Sequence, residues 1–148
     1  MEQTSTNDIP QEKPKVNRAG MVCFNLAGQV LLVRALSNKS HWVFPKGHIE
    51  PNEETFQTAE RETREECGII ASTVGDSIGV TSFRLFEEDV VVEWFSGLAS
   101  RCIPESLVGM SVESDWRESK WFHWNKALEV LAFKDLKDLL KAALCFKD

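Results

Sequence analysis

Gly47 to Ile69 reads GHIEPNEETFQTAERETREECGI, and the way this stretch folds decides the rest of the chain. Glu50-Pro51-Asn52-Glu53-Glu54 is a helix start, with Asn52 expected to cap and the acidic residues suited to the positive end of the helix dipole. The helix is expected to run to about Cys67 and to stop at Gly68, where a left-handed residue is wanted. At about 100° per residue, Phe56, Ala59, Thr63 and Cys67 share one face as a core stripe. Glu62, Glu65 and Glu66 fall on an adjoining arc, at spacings of three and four that bring side chains together. Arg61 reaches Glu65 one turn on. Close carboxylate pairs on one arc repel at a cost of roughly 0.2–0.5 kcal/mol each, and within the helix Arg61 and Arg64 are the cations at hand to offset them. A hard cation such as Mg²⁺ would turn the repulsion into coordination, because it demands oxygen ligands and partners phosphate oxygens. A solvated acidic face fits the same spacing, and periodicity leaves both readings open.

The segment resembles the Nudix signature. Its slots are filled by Gly47, Glu53, Arg61-Glu62, Thr63, Glu65-Glu66, Gly68 and Ile69, and the one departure is Thr63 in an aliphatic position on the core face. The resemblance implies an α+β fold, the Nudix α/β/α sandwich with a mixed sheet. It also implies a loop–helix–loop that holds divalent metal, Mg²⁺ with Mn²⁺ as an alternative. Glu62, Glu65 and Glu66 would be ligands, helped by the Gly47 carbonyl. Arg61 would orient Glu65 or Glu53 by salt bridge, and Glu53 would brace the loop. The general base would be one of the clustered glutamates or a carboxylate of the later loop. Glu113 is the candidate there, also as a further metal ligand, with Asp115 and Glu118 competing. Metal would offset charge on the leaving phosphate and lower the pKa of bound water while a carboxylate takes the proton.

Fold and signature leave the substrate open, so the flanks are read next. Upstream, His41-Trp42-Val43-Phe44-Pro45-Lys46-Gly47-His48 is similar to the diadenosine polyphosphate hydrolases. Downstream, VVEWFSGLA and KWFHWNKALEVLAFKDLKDLLKAAL are similar to the same group. The resemblance implies asymmetric cleavage of diadenosine tetra- to hexaphosphate with release of ATP. Lys46 and His48 would hold outer phosphates, and Phe133 would stack on an adenine; a surface lysine, a capping histidine and a core phenylalanine are the alternatives. The family often uses tyrosine at its base platform, and this chain has none. Arg34 could face the phosphates or solvent. A diphosphoinositol polyphosphate phosphohydrolase is the rival, since Arg18-Ala19-Gly20-Met21-Val22-Cys23-Phe24 echoes its strand opening. Lesser readings are removal of an RNA 5′ cap or pyrophosphate, and a non-catalytic nucleotide-binding module.

Beyond the box, Ala19 to Val33 reads as two short strands joined around Ala27-Gly28, and Leu36 to Gly47 as loop. Strands are expected over Ser77 to Leu85, Asp89 to Leu98 and Lys120 to His123, with a long loop over Arg101 to Ser119. Lys126 to Phe146 carries leucines and alanines at helical spacing, as one helix or two broken near Phe133. Trp42, Trp94, Trp121 and Trp124 are assigned to the core.

The 148 residues suit one domain, over residues 18–148, behind a polar tail over residues 1–17 that resembles neither a signal peptide nor a mitochondrial presequence. A net charge of −6 argues against duplex nucleic acid and anionic membranes as partners, while leaving room for a phosphate-rich small molecule in a locally basic cleft. Cys23, Cys67, Cys102 and Cys145 are scattered without metal-ligand spacing, which suits free thiols in a reducing cytosol. A monomer with a small nucleotide substrate is the expectation.

Overall fold

The computed structural model describes residues 15–102 and 117–147. Its first two strands are β1 (Arg18–Phe24) and β2 (Val30–Arg34). They are joined by a turn in which Asn25 Oδ1 accepts from the N–H groups of Ala27 (3.0 Å) and Gln29 (2.9 Å). Gly28 takes the left-handed φ of 80° that the turn requires. The stretch read as loop contains two short strands, β3 (Trp42–Val43) and β4 (Lys46–His48). Helix α1 (Thr55–Cys67) follows.

β5 (Ile69–Leu85) and β6 (Glu88–Cys102) are longer than expected and form a hairpin with register shifts at Ile70/Ala71 and Val74/Gly79. Polar residues inside β5 hid its first half, because alternation is broken at the irregularities. β7 (Ser119–Phe122) leads to α2 (Trp124–Val130) and α3 (Lys134–Lys147), so the C-terminal pattern is two helices divided near Phe133.

The mixed sheet runs β3-β2-β1-β6-β5, with β7 on β2 and β4 on β1. β1 pairs with β6 in parallel, and its other edge is shared. β4 takes Arg18, Ala19 and Gly20, while β2 meets Phe24 through Val30. Side chains alternate along β1. Ala19, Met21 and Cys23 pack with Ala59 of α1 and with Ile69, Ala71 and Phe95. Val22 and Phe24 join Trp94 and the residues Leu131, Leu136, Leu139 and Leu140 on the opposite face. Each fully buried aliphatic side chain contributes on the order of 2 kcal/mol. Helices thus cover both faces, an α/β/α sandwich, and no helix among the described residues is long and apolar enough to cross a membrane.

Several expectations are corrected. Asn52 does not cap α1; it sits in a turn at φ 66°, and Glu54 is the N-cap, in a reciprocal capping box with Gln57. Phe56 leaves the core stripe at 40% exposed, and Thr58 is buried instead. Trp124 is 41% exposed at the start of α2, where it is not needed by the core. Gly68 ends α1 at φ 69°, as the sequence requires. Asn17, placed in the tail, is bound to the sheet through Asp89 and Val91.

Candidate metal centre and substrate cleft

The carboxylate helix is organised by Arg61. Its Nε donates to Glu53 Oε2 at 2.8 Å and its Nη2 to Glu53 Oε1 at 3.1 Å, a two-pronged pair across eight residues. Its Nη1 reaches Glu62 Oε2 and Glu65 Oε1, both at 3.0 Å, and Nη2 also donates to the His48 carbonyl at 2.8 Å. One guanidinium therefore fastens the β4–α1 loop to two arc glutamates. Arg61 holds the Glu53 carboxyl well below the usual range, at about 2, with Thr58 Oγ1 donating a further bond of 2.6 Å. The same pairing raises Arg61.

Glu66 lies deeper, at 5% exposed. Arg117 Nη2 pairs with its Oε2 at 2.7 Å, while its Oε1 is buried with no donor. Burial pushes the Glu66 carboxyl up to about 8; Arg117 opposes this, and the neighbouring Glu62 carboxylate adds to the rise. Gly47 closes against Glu62: a Cβ there would fall inside its carboxylate. Lys46 stands beside them with its pKa lowered by burial; Glu66 and Glu62 raise it, while Arg117 and Arg18 lower it further. Gly20 permits that approach, since a Cβ on it would meet the Pro45 carbonyl at 2.6 Å and Lys46 Cβ at 2.8 Å.

These groups line one cleft of about 680 Å³. Lys46, Gly47, His48, Arg61, Glu62, Glu66 and Phe133 all border it, whereas Glu53 and Glu65 stand behind, on Arg61. Phe133 is 48% exposed and meets the His41 ring edge-on at 5.3 Å, so it is not a core residue. Arg34 is absent from the lining: it lies over the Trp42 ring at 4.0 Å and pairs with Glu118 at 3.4 Å. That pair also draws Glu118 away from the cleft. Glu113 and Asp115 lie outside the described residues.

Among the lining residues that sequence reasoning missed, Arg18, Phe83 and Arg117 matter most. Arg18 is buried at the start of β1, Phe83 is 45% exposed on β5, and Arg117 precedes β7. Arg18 carried a signal in the strand opening quoted above, a charged residue just before an apolar run. Phe83 and Arg117 carried none, because nothing local marks a strand phenylalanine or a loop arginine as facing a distant helix.

A family model described as the NUDIX domain matches residues 14–142. The chain belongs to the Nudix family. It is 32% identical over 124 residues to the asymmetrical bis(5′-nucleosyl)-tetraphosphatase of Sus scrofa, covering 79% of each chain. An RNA pyrophosphohydrolase of Bartonella bacilliformis is 33% identical over 115 residues, covering 70% of this chain and 56% of that one. Among solved structures, the Ap4A hydrolase of C. elegans in a binary complex superposes with a TM-score of 0.72 at 24% identity, over 90% of this chain and 98% of that one. The Nudix fold and a pyrophosphohydrolase acting on acid anhydrides follow from this membership.

The Nudix helix can be tested for its fit to a divalent cation. Among the described residues no three His, Cys, Asp or Glu groups stand as a ready cage. Glu62 and Glu65 turn oxygens to Arg61, and two carboxylates adjoin at Glu62 and Glu66. The donor set is nonetheless right for a hard cation: oxygens only, one of them buried and lacking any donor, beside a glycine whose missing side chain admits the Glu62 carboxylate. The residues fit.

Proposed function

We propose that this Nudix enzyme hydrolyses dinucleoside polyphosphates, diadenosine tetra- to hexaphosphate, cleaving asymmetrically to release ATP in a Mg²⁺-dependent reaction that Mn²⁺ also supports. The observation that carries the reading is the content of one cleft: glutamates Glu62 and Glu66, cations Lys46, Arg18 and Arg117, and two half-exposed aromatic rings, Phe83 and Phe133. Glu62, Glu65, Glu66 and the Gly47 carbonyl would hold the metal, which when bound offsets phosphate charge and lowers the pKa of its water.

The chain's own groups do the rest. Arg61, itself fixed by Glu53, keeps Glu62 and Glu65 in place. Lys46 and His48 donate to the outer phosphates, and Arg18 adds charge at the cleft floor. Phe133 and Phe83 offer faces on which an adenine stacks. A carboxylate of the cluster, or Glu113, takes the proton from water. Cytosolic, monomeric action on small nucleotides completes the reading.

Two observations bear on the rivals. A diphosphoinositol substrate wants a dense basic pocket, and here Glu62 and Glu66 stand among the cleft's cations while apolar Leu36, Phe83 and Phe133 line it too. The RNA pyrophosphohydrolase relative keeps RNA in view as a second substrate.

Ion-exchange analysis of products tests the proposal. Wild type and Glu66→Gln would each meet diadenosine tetraphosphate, a diphosphoinositol phosphate and 5′-triphosphorylated or capped RNA, with and without Mg²⁺. ATP and AMP from the first, lost in the variant or without metal, is expected. Turnover of only the inositol or RNA substrate would keep the chemistry and replace the substrate. No turnover of any would leave a binding module.

A further inference from the structure

Arg117 is committed at three points. Its backbone N–H donates to the Glu66 carbonyl at 3.1 Å, its Nη2 pairs with Glu66 Oε2 at 2.7 Å, and its Nη1 donates to the Arg34 carbonyl at 3.1 Å. With its main chain tied to α1 and its guanidinium to the end of β2, Arg117 cannot swing aside without breaking bonds to two elements. The two oxygens of Glu66 are thereby made unequal. Oε2 is taken by Arg117, while Oε1 is buried and has no donor.

That inequality bears on which cation the centre takes. Mg²⁺ is small and demands near-ideal octahedral geometry at about 2.0–2.1 Å, which suits one oxygen from each carboxylate. Ca²⁺ takes roughly 6–8 oxygens at about 2.3–2.6 Å, and a carboxylate free to offer both oxygens favours it.

We propose that Arg117 is a positioning residue that restricts Glu66 to a single ligating oxygen and so biases the centre toward Mg²⁺ and against Ca²⁺. The inference rests on the reading that Glu62 and Glu66 hold a divalent ion. It goes beyond that reading by giving a residue outside the signature control over which ion is held. Removing the arginine frees Oε2, leaving both oxygens of Glu66 to the incoming cation.

Calorimetric titration of the metal-free full chain with Mg²⁺ and, separately, Ca²⁺ tests this in wild type and Arg117→Met. The ratio of Ca²⁺ to Mg²⁺ affinity is expected to rise about tenfold in the variant, in line with the effect of residues that orient metal ligands. Loss of the guanidinium charge alone would strengthen both ions alike, and a merely structural role would weaken both alike. Neither moves the ratio. An unchanged ratio with measurable binding overturns the inference and leaves the metal reading standing. A wild type that binds neither ion overturns both. Thermal unfolding without metal checks the variant's fold. Should Arg117→Met not fold, Arg117→Leu removes every side-chain donor to Oε2 in a smaller side chain. It must then shift the ratio the same way, and an unchanged ratio counts equally against the inference.

Discussion

Glu53 accepts from four donors and stands outside the cleft, yet the β4–α1 loop depends on its charge. It accepts from Arg61 Nε and Nη2, from Thr58 Oγ1 at 2.6 Å and from the Glu50 backbone N–H at 3.1 Å. Its carboxyl is lowered from near 4.5 to about 2, chiefly by Arg61. A folded-state pKa below the unfolded one contributes stability that is full above the unfolded value and is lost as pH falls toward the folded value. The contribution is on the order of 2 kcal/mol at neutral pH. Urea unfolding at a series of pH values is therefore expected to show wild type losing this increment between about pH 5 and pH 2. Glu53→Gln should start lower and respond less over that interval. Parallel curves for the two proteins would assign the acid sensitivity to other groups.

At the scale of elements, helix α1 shows how much local pattern can carry. The carboxylate arc, the Arg61 contact to Glu65 and the Gly68 stop are all consequences of spacing within one helix, and they stand in the sequence for that reason. The start of the helix was less legible. Asn52, Glu53 and Glu54 are all competent to begin it, and the choice fell to the loop, where Arg61 draws in Glu53 and Gln57 closes the box with Glu54.

Thr63 is the departure from the aliphatic slot, and its cost is small. The side chain is fully buried and its hydroxyl donates back to the Ala59 carbonyl at 2.8 Å, so nothing polar is stranded. Thr63→Val keeps the shape and leaves that carbonyl its helical partner. It is expected to hold or raise the thermal midpoint, by up to about 1 kcal/mol of stability, with turnover unchanged. A fall of several degrees would mean that the hydroxyl does more than satisfy itself.

The whole molecule decides what the cleft recognises. Its parts come from β1, β4, α1, β5, the approach to β7 and the α2–α3 junction, and the sheet brings them together. The acidic chain so assembles a cluster of cations, Arg18 buried and Lys46 and Arg117 half-buried, beside the glutamates. Phe83 and Phe133 lie fifty residues apart and expose ring surface to the same cavity. Stacking on an aromatic face is worth roughly 1–3 kcal/mol per base. Phe83→Ser is accordingly expected to raise KM for diadenosine tetraphosphate about tenfold while kcat changes little, measured by initial rates. A matching loss in kcat with KM unaltered would remove Phe83 from substrate binding.

By itself the sequence determined the helix, its glutamate arc, its stop at Gly68 and the strand–helix–strand–helix order, because each is set by contacts among residues a few positions apart. Tertiary structure alone decided that Phe133 leaves the core, that Arg34 turns to Trp42 and Glu118, and that Arg117 reaches Glu66. Those outcomes depend on strand order and register, where a shift of one residue sends a side chain to the opposite face. No periodicity within a strand records which face a distant helix will cover.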